Sequence, residues 1–190
     1  MMKTEIIRIG VAGLGSMGSG HARSIMEGKI PRLQLAAVTD VVAEQAATVP
    51  DVPFFSTPEA MISSGLIDAI LIVTPHFSHT PIGVAALEAG LHVLVEKPIS
   101  VHKTDAEKLI AAHTDKRLIF AAMFNQRTDP YYATIREMIR NGTLGTVRRI
   151  NWMVTDWFRT NAYYASGGWR ATWQGEGGAP FSTSARTILT

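Results

Sequence analysis

A short apolar run, Ile6-Ile7-Arg8-Ile9-Gly10-Val11-Ala12, opens directly into Gly13-Leu14-Gly15-Ser16-Met17-Gly18. Such a run bounded by glycine reads as a buried strand, and residues 16–26 after it read as a helix. The three glycines have separate tasks. Gly13 allows the tight turn out of the strand. Gly15, lacking a Cβ, lets a diphosphate approach the backbone. Gly18 lets the helix pack closely on the strand. The helix start, residues 14–18, presents free N–H groups and a partial positive charge to phosphate.

A second signal stands in register with the first. Residues 33–40 read as the next strand, ending in Asp40, 22 positions beyond Gly18. That is near the spacing at which a carboxylate meets the hydroxyls of an adenosine ribose. Val41 and Val42 follow, with no arginine beside them to hold a 2′-phosphate, which favours NAD over NADP.

The rest of the first two thirds alternates strand and helix. A short helix is expected over 42–49, a brief strand over 52–55 and a helix over 58–64, with Thr57 as N-cap and Gly65 as its stop. Residues 67–73 form a near-continuous apolar run, the pattern of a strand covered on both faces of a parallel sheet. A helix over 78–89, a strand over 92–96, a helix over 104–113 with Thr104 as N-cap, and a strand over 117–123 complete the series. This alternation predicts an α/β fold: a Rossmann-type, doubly wound parallel sheet with right-handed crossovers. Ligands of such sheets sit beyond the carboxyl ends of the strands. The 13–18 turn, Asp40, residues 74–79 and residues 96–98 all fall on that edge. After Phe124 the pattern changes. Residues 129–140 read as an amphipathic helix, 146–158 as one long strand, and 161–178 as a loop rich in glycine and aromatics. The expected organisation is a nucleotide-binding domain over 1–123 and the start of an α+β second domain over 124–190.

Bulk properties exclude several classes. Lys and Arg number 18 against 16 Asp and Glu, and they are scattered, so no basic stripe marks nucleic-acid binding. Without cysteine there is neither a disulfide framework nor a thiolate metal site. No His, Asp and Glu group shows metal-ligand spacing. No stretch reaches membrane-spanning length and no signal peptide stands at the start, so a cytoplasmic protein is expected.

These residues resemble the Gfo/Idh/MocA family, that of glucose–fructose oxidoreductase and inositol dehydrogenase. The resemblance rests on the 13–18 turn, Asp40, Thr74-Pro75-His76-Phe77-Ser78-His79, and the run from Ala85 through Gly90-Leu91-His92-Val93-Leu94-Val95-Glu96-Lys97-Pro98. It continues in Asn125-Gln126-Arg127, Gly142-Thr143-Leu144-Gly145 and Gly168-Trp169-Arg170, covering residues 5–178. The run ending in Glu96-Lys97-Pro98 is far more specific than the glycine turn, and it argues against a methyltransferase built on a similar loop. The resemblance implies NAD(P)-dependent hydride transfer on a sugar, cyclitol or related polyol by a homo-oligomeric enzyme. It assigns Lys97 as the catalytic lysine, whose ammonium hydrogen-bonds the reacting hydroxyl and stabilises alkoxide charge. Glu96 lies near the nicotinamide and orients the site, and the Lys97–Pro98 bond is expected to be cis. Gly13, Leu14, Gly15, Ser16, Met17, Gly18, Asp40, Thr74, Pro75, His76, His79, Glu96, Lys97, Pro98 and Gln126 are the implied cofactor residues. For His76 and His79 a solvated loop position stands beside cofactor contact. Lys97, Arg127, Trp169 and Arg170 are the implied substrate residues.

The chain departs from the family beyond the glycine loop at 175–178. There the family carries a histidine general base, and residues 179–190 hold no histidine. Read one base earlier with permitted codons, that tail can encode Gly-Pro-Phe-Leu-Asn-Gln-Cys-Pro-His-Asn-Leu-Asp, which restores the family pattern. A single-base frameshift near Gly178 is therefore expected, with 179–190 as an out-of-frame tail and hydride transfer severely impaired. The competing expectation is an NAD-binding module without chemistry, such as a sensor or partner subunit.

Overall fold

The computed structural model describes residues 5–153, 160–165, 168 and 172–176. Six strands form one sheet: β1 (Ile7–Ala12), β2 (Leu33–Thr39), β3 (Phe54–Phe55), β4 (Ala69–Ile72), β5 (His92–Val95) and β6 (Phe120–Ala122). Their order is β3-β2-β1-β4-β5-β6, and every pairing is parallel. Strand order reverses beside β1, so a crevice opens there between the β1 and β4 crossovers.

The burial pattern explains why these residues make this sheet. All four residues of β4 are buried. Ile70 and Ile72 join one core with Met61, Ile82, Leu87 and Leu109, under α2 (Pro58–Ile62), α3 (His79–Glu88) and α4 (Lys103–Ala112). Ala69 and Leu71 join the other with Val11, Leu14, Ala22 and Ile25, under α1 (Ser16–Met26). Alternate side chains of a strand point to opposite faces, so a central strand must be apolar throughout. Each such aliphatic side chain contributes about 1.5–3 kcal/mol on burial.

Helix ends follow their local chemistry. The Thr57 hydroxyl accepts the Ala60 N–H at 3.2 Å, with Pro58 behind it. Asp129 caps α5 (Pro130–Arg140) by accepting the Tyr131 N–H at 2.9 Å. Five expectations need correction. The helix at 42–49 is a 3-10 helix over Ala43–Thr48. α4 begins one residue early, on Lys103, with His102 as N-cap and no side-chain cap from Thr104. β6 is three residues long, because 116–118 form the turn that approaches it. Residues 147–153 carry no strand pairing, so the described part of the strand expected over 146–158 is irregular chain; 154–158 lie outside the described residues. The neighbours that would make it a strand are not among the described residues, and a strand exists only in pairing. Two short helices, α6 (Asn161–Ala165) and α7 (Trp173–Glu176), stand within the expected loop, α7 against the 3-10 turn His76–Ser78. The tail at 179–190 is outside the described residues.

Candidate nucleotide and catalytic site

One cross-sheet row places the site. Thr39 pairs with Ala12, Ala12 with Ile72, Ile72 with Val95, and Val95 with Ala122. The ladder continues one residue further: Gly13 N–H to Thr39 O at 2.8 Å, Val73 N–H to Ala12 O at 2.8 Å, Glu96 N–H to Ile72 O at 2.9 Å, and Met123 N–H to Val95 O at 2.8 Å. Gly13, Asp40, Thr74, Glu96 and Gln126 thus leave the sheet at one edge, from five neighbouring strands.

The glycine turn has the build its residues demand. Gly13 sits at φ +94°, and a Cβ there would press on the Val73 carbonyl and the Thr74 nitrogen at 2.9 Å. A Cβ on Gly18 would run into the Gly13 carbonyl. A Cβ on Gly15 would meet nothing within 4 Å, so the space above it is open. Gly15 is also the N-cap of α1, which has no side-chain cap and no acid in its first turn. A helix end left this way offers its amides to an anion.

Asp40 is fixed by two amides. Its Oδ2 accepts the Leu14 N–H at 2.6 Å and its Oδ1 the Val42 N–H at 2.9 Å. Each oxygen keeps a further lone pair for a hydroxyl. Val41 beside it is 93% exposed. The buried hydroxyls of Thr39 and Thr74 and the buried Oε1 of Gln126 have no hydrogen-bond partner among the described residues. Orphaned polar atoms are costly in a ligand-free protein. Here all three stand near the ends of strands that carry the candidate residues. Open glycine, uncapped helix, fixed carboxylate and orphaned hydroxyls together fit a dinucleotide.

The Glu96-Lys97-Pro98 turn follows β5, and its Lys97–Pro98 bond is cis. Glu96 Oε2 accepts the Lys97 backbone N–H at 3.1 Å, and Oε1 lies 3.3 Å from His21 Nε2 on α1. Burial pushes the Glu96 carboxyl up. The bonds from His21 and the Lys97 amide, with the charges behind them, outweigh burial and hold it below its ordinary value of 4.5. Glu96 is therefore a carboxylate at neutral pH.

Neither histidine of the 74–79 segment is solvated. His76 is buried, and its ring stands edge-on to that of His79 at 5.7 Å. The His79 ring is fully buried, with Nδ1 2.9 Å from the Pro98 carbonyl oxygen and Nε2 2.8 Å from that of Thr74. Both nitrogens face backbone carbonyl oxygens, and the neutral ring donates its single N–H to one of them, so the solvated position expected for His79 is replaced by a buried contact between two loops. Gln126 lies in the 3-10 helix Asn125–Arg127, and the Arg127 guanidinium packs over the Phe124 ring at 5.6 Å. Trp169 and Arg170 are outside the described residues. His21 was not among the expected residues. Its signal was the helix face on which Gly18, Ala22 and Ile25 are buried, since a residue three beyond Gly18 shares that face. Among the described residues no group of three His, Cys, Asp or Glu could hold a metal ion, and no helix is long and apolar enough to cross a membrane.

Residues 7–124 match the family model described as an oxidoreductase family with an NAD-binding Rossmann fold, GFO_IDH_MocA. The chain belongs to the Gfo/Idh/MocA oxidoreductases. Among its relatives is inositol 2-dehydrogenase 1 of Saccharopolyspora erythraea, 30% identical over 147 residues, 73% of this chain and 43% of the relative. Among solved structures is scyllo-inositol dehydrogenase of Lactobacillus casei with bound cofactor NAD(H) and scyllo-inositol. It is 32% identical, with a TM-score of 0.68, over 74% of this chain and 43% of that one. The WlbA dehydrogenase of Bordetella pertussis, in complex with NADH and UDP-GlcNAcA, is 26% identical with a TM-score of 0.82, over 97% of this chain and 55% of that one. The chain spans less than half the length of the inositol dehydrogenases it matches.

Proposed function

We propose that this chain binds NAD(H) along the carboxyl edge of its sheet and is built for hydride transfer on a hydroxyl or ketone of a sugar, cyclitol or related polyol, with turnover by this chain severely impaired because residues 179–190 supply no histidine base. The observation that carries the proposal is the register row, which brings the glycine turn, Asp40 and the Glu96-Lys97-Pro98 turn to one edge. In this reading the first-turn amides of α1 hold the diphosphate, and Asp40 accepts from the adenosine ribose hydroxyls. Val41 and Val42 give a 2′-phosphate no cation, which supports NAD over NADP. When bound, the nicotinamide supplies the hydride acceptor or donor. The Lys97 ammonium hydrogen-bonds the substrate oxygen and stabilises the charge that develops there, since a donor placed where charge forms lowers the barrier. Glu96 stays ionised and orients that ammonium. The substrate residues Arg127, Trp169 and Arg170, and the division of the chain at residue 123, belong to the same proposal.

Calorimetric titration with NAD, NADH and NADPH tests it. Saturable NADH binding, at least about tenfold tighter than NADPH, is expected, a margin of roughly 1.4 kcal/mol. Absence of binding to any of the three overturns the proposal. Myo-inositol, scyllo-inositol and UDP-GlcNAcA then form the substrate panel, to be read by the change in NADH affinity each one causes.

A further inference from the structure

We propose that His21 and His79 are positioning residues that hold the 96–100 loop in a single conformation and thereby aim Lys97; this rests on the reading of Lys97 given above. Every second residue of that loop is tied to a different neighbour. Glu96 meets His21 of α1 at 3.3 Å. The Pro98 carbonyl meets Nδ1 of His79, the first residue of α3, at 2.9 Å. The Ser100 hydroxyl accepts from Thr80, the second residue of α3, at 2.9 Å, and both side chains are buried. Lys97 and Ile99 stand between these ties, and Ile99 packs against the core. Three anchors in five residues leave the loop backbone little freedom.

His79 extends the hold to the next crossover. Its other nitrogen faces the Thr74 carbonyl oxygen at 2.8 Å, so one buried ring, donating its single N–H to one of the two carbonyls, lies between the loop after β4 and the loop after β5. The first of these loops borders the crevice between the β1 and β4 crossovers, where the dinucleotide is proposed to bind. His21 works from the opposite side of the sheet, since α1 covers the second core. It meets Oε1 of Glu96 while the Lys97 N–H meets Oε2, so both carboxylate oxygens are held and the turn cannot rotate about Glu96. Preorganisation of this kind acts on the catalytic group without touching the reacting atoms.

The test compares NADH with ADP-ribose on the full chain, together with the fluorescence emission of bound NADH. ADP-ribose keeps the diphosphate and adenosine contacts and lacks the nicotinamide. His21→Ala and His79→Gln are expected to leave ADP-ribose affinity within about twofold. NADH affinity should fall by roughly tenfold, as for the loss of a hydrogen bond to a charged or buried partner, and the emission of bound NADH should shift. His21→Gln restores a donor toward Glu96 and should recover both readouts. An unchanged NADH to ADP-ribose ratio and unchanged emission in His21→Ala overturns the proposal even if His79→Gln fails to fold, because the His21 side chain is 22% exposed and lies outside both buried cores. Failure of the unaltered chain to bind either ligand removes the parent reading with it, a result distinct from an unchanged ratio.

Discussion

Three glycines in one turn do different things, and substitution separates them. Gly15→Ala meets open space, so stability should change by no more than about 0.5 kcal/mol, as for an ordinary surface site. Its methyl group occupies the place a diphosphate needs, so NADH affinity should fall by at least tenfold, read by titration. Gly18→Ala forces a Cβ into the Gly13 carbonyl, backbone against backbone, and should destabilise by about 3 kcal/mol, read from the urea midpoint. If both variants lost stability equally, Gly15 would be structural only. His79 carries a pH prediction. Burial is the main cause that pulls its pKa below the ordinary 6.5, against the pull of the Thr74 and Pro98 carbonyls. The unfolded chain then takes up the proton first. His79 therefore contributes stability above pH 6.5 that is lost as pH falls below that value toward the folded-state pKa. Melting temperature followed through this range should drop more for the unaltered chain than for His79→Gln. The sequence pattern revealed the glycines because their spacing is local. It could not show that His79 is a cross-link, since its partner Pro98 lies 19 residues away, nor that His21 meets Glu96 across 75.

At the scale of elements, the central strands were legible because burial on both faces leaves only apolar residues, as in β4. Irregular segments were not. Residues 147–153 have strand-like composition, yet no partner among the described residues pairs with them, and composition cannot supply one. Helix contacts were equally hidden. α3 and α4 approach where a Cβ on Gly83 would stand 2.7 Å from Leu109 Cδ1, so the glycine is there to admit the leucine. Leu109 is fully buried. Leu109→Ala should destabilise by about 3 kcal/mol through lost contacts and the cavity left behind. Gly83→Ala should also destabilise, by overpacking. The double variant should cost less than the two single changes added together, because the new methyl enters the space the leucine vacates. Strict additivity in denaturant melts would show that the two positions do not touch in solution.

The molecule as a whole divides by burial. The core hydrophobics that are buried run from Ile9 to Leu109, with partly buried ones packed on them as far as Met123. α5, by contrast, has no buried residue, although Tyr132, Ile135 and Ile139 lie along it and Tyr132 meets Trp152 ring to ring at 5.3 Å. Asp129 caps that helix from its own chain, so α5 forms locally and draws little stability from the sheet. Segments with few buried contacts open with a smaller free energy than the core, and proteases cut where the chain opens. The proposed boundary at residue 123 therefore makes a kinetic prediction. Brief digestion with a protease of broad specificity should cut first beyond residue 128 and leave a fragment that begins near the N-terminus and ends within the first turns of α5, as mass spectrometry would define. That fragment should bind NADH within about threefold of the full chain, since the glycine turn, Asp40 and the 96–100 loop all lie within it. First cuts inside residues 30–120 would place the weak point in the sheet itself. A fragment that folded yet lost NADH would mean that residues after 128 complete the cofactor site.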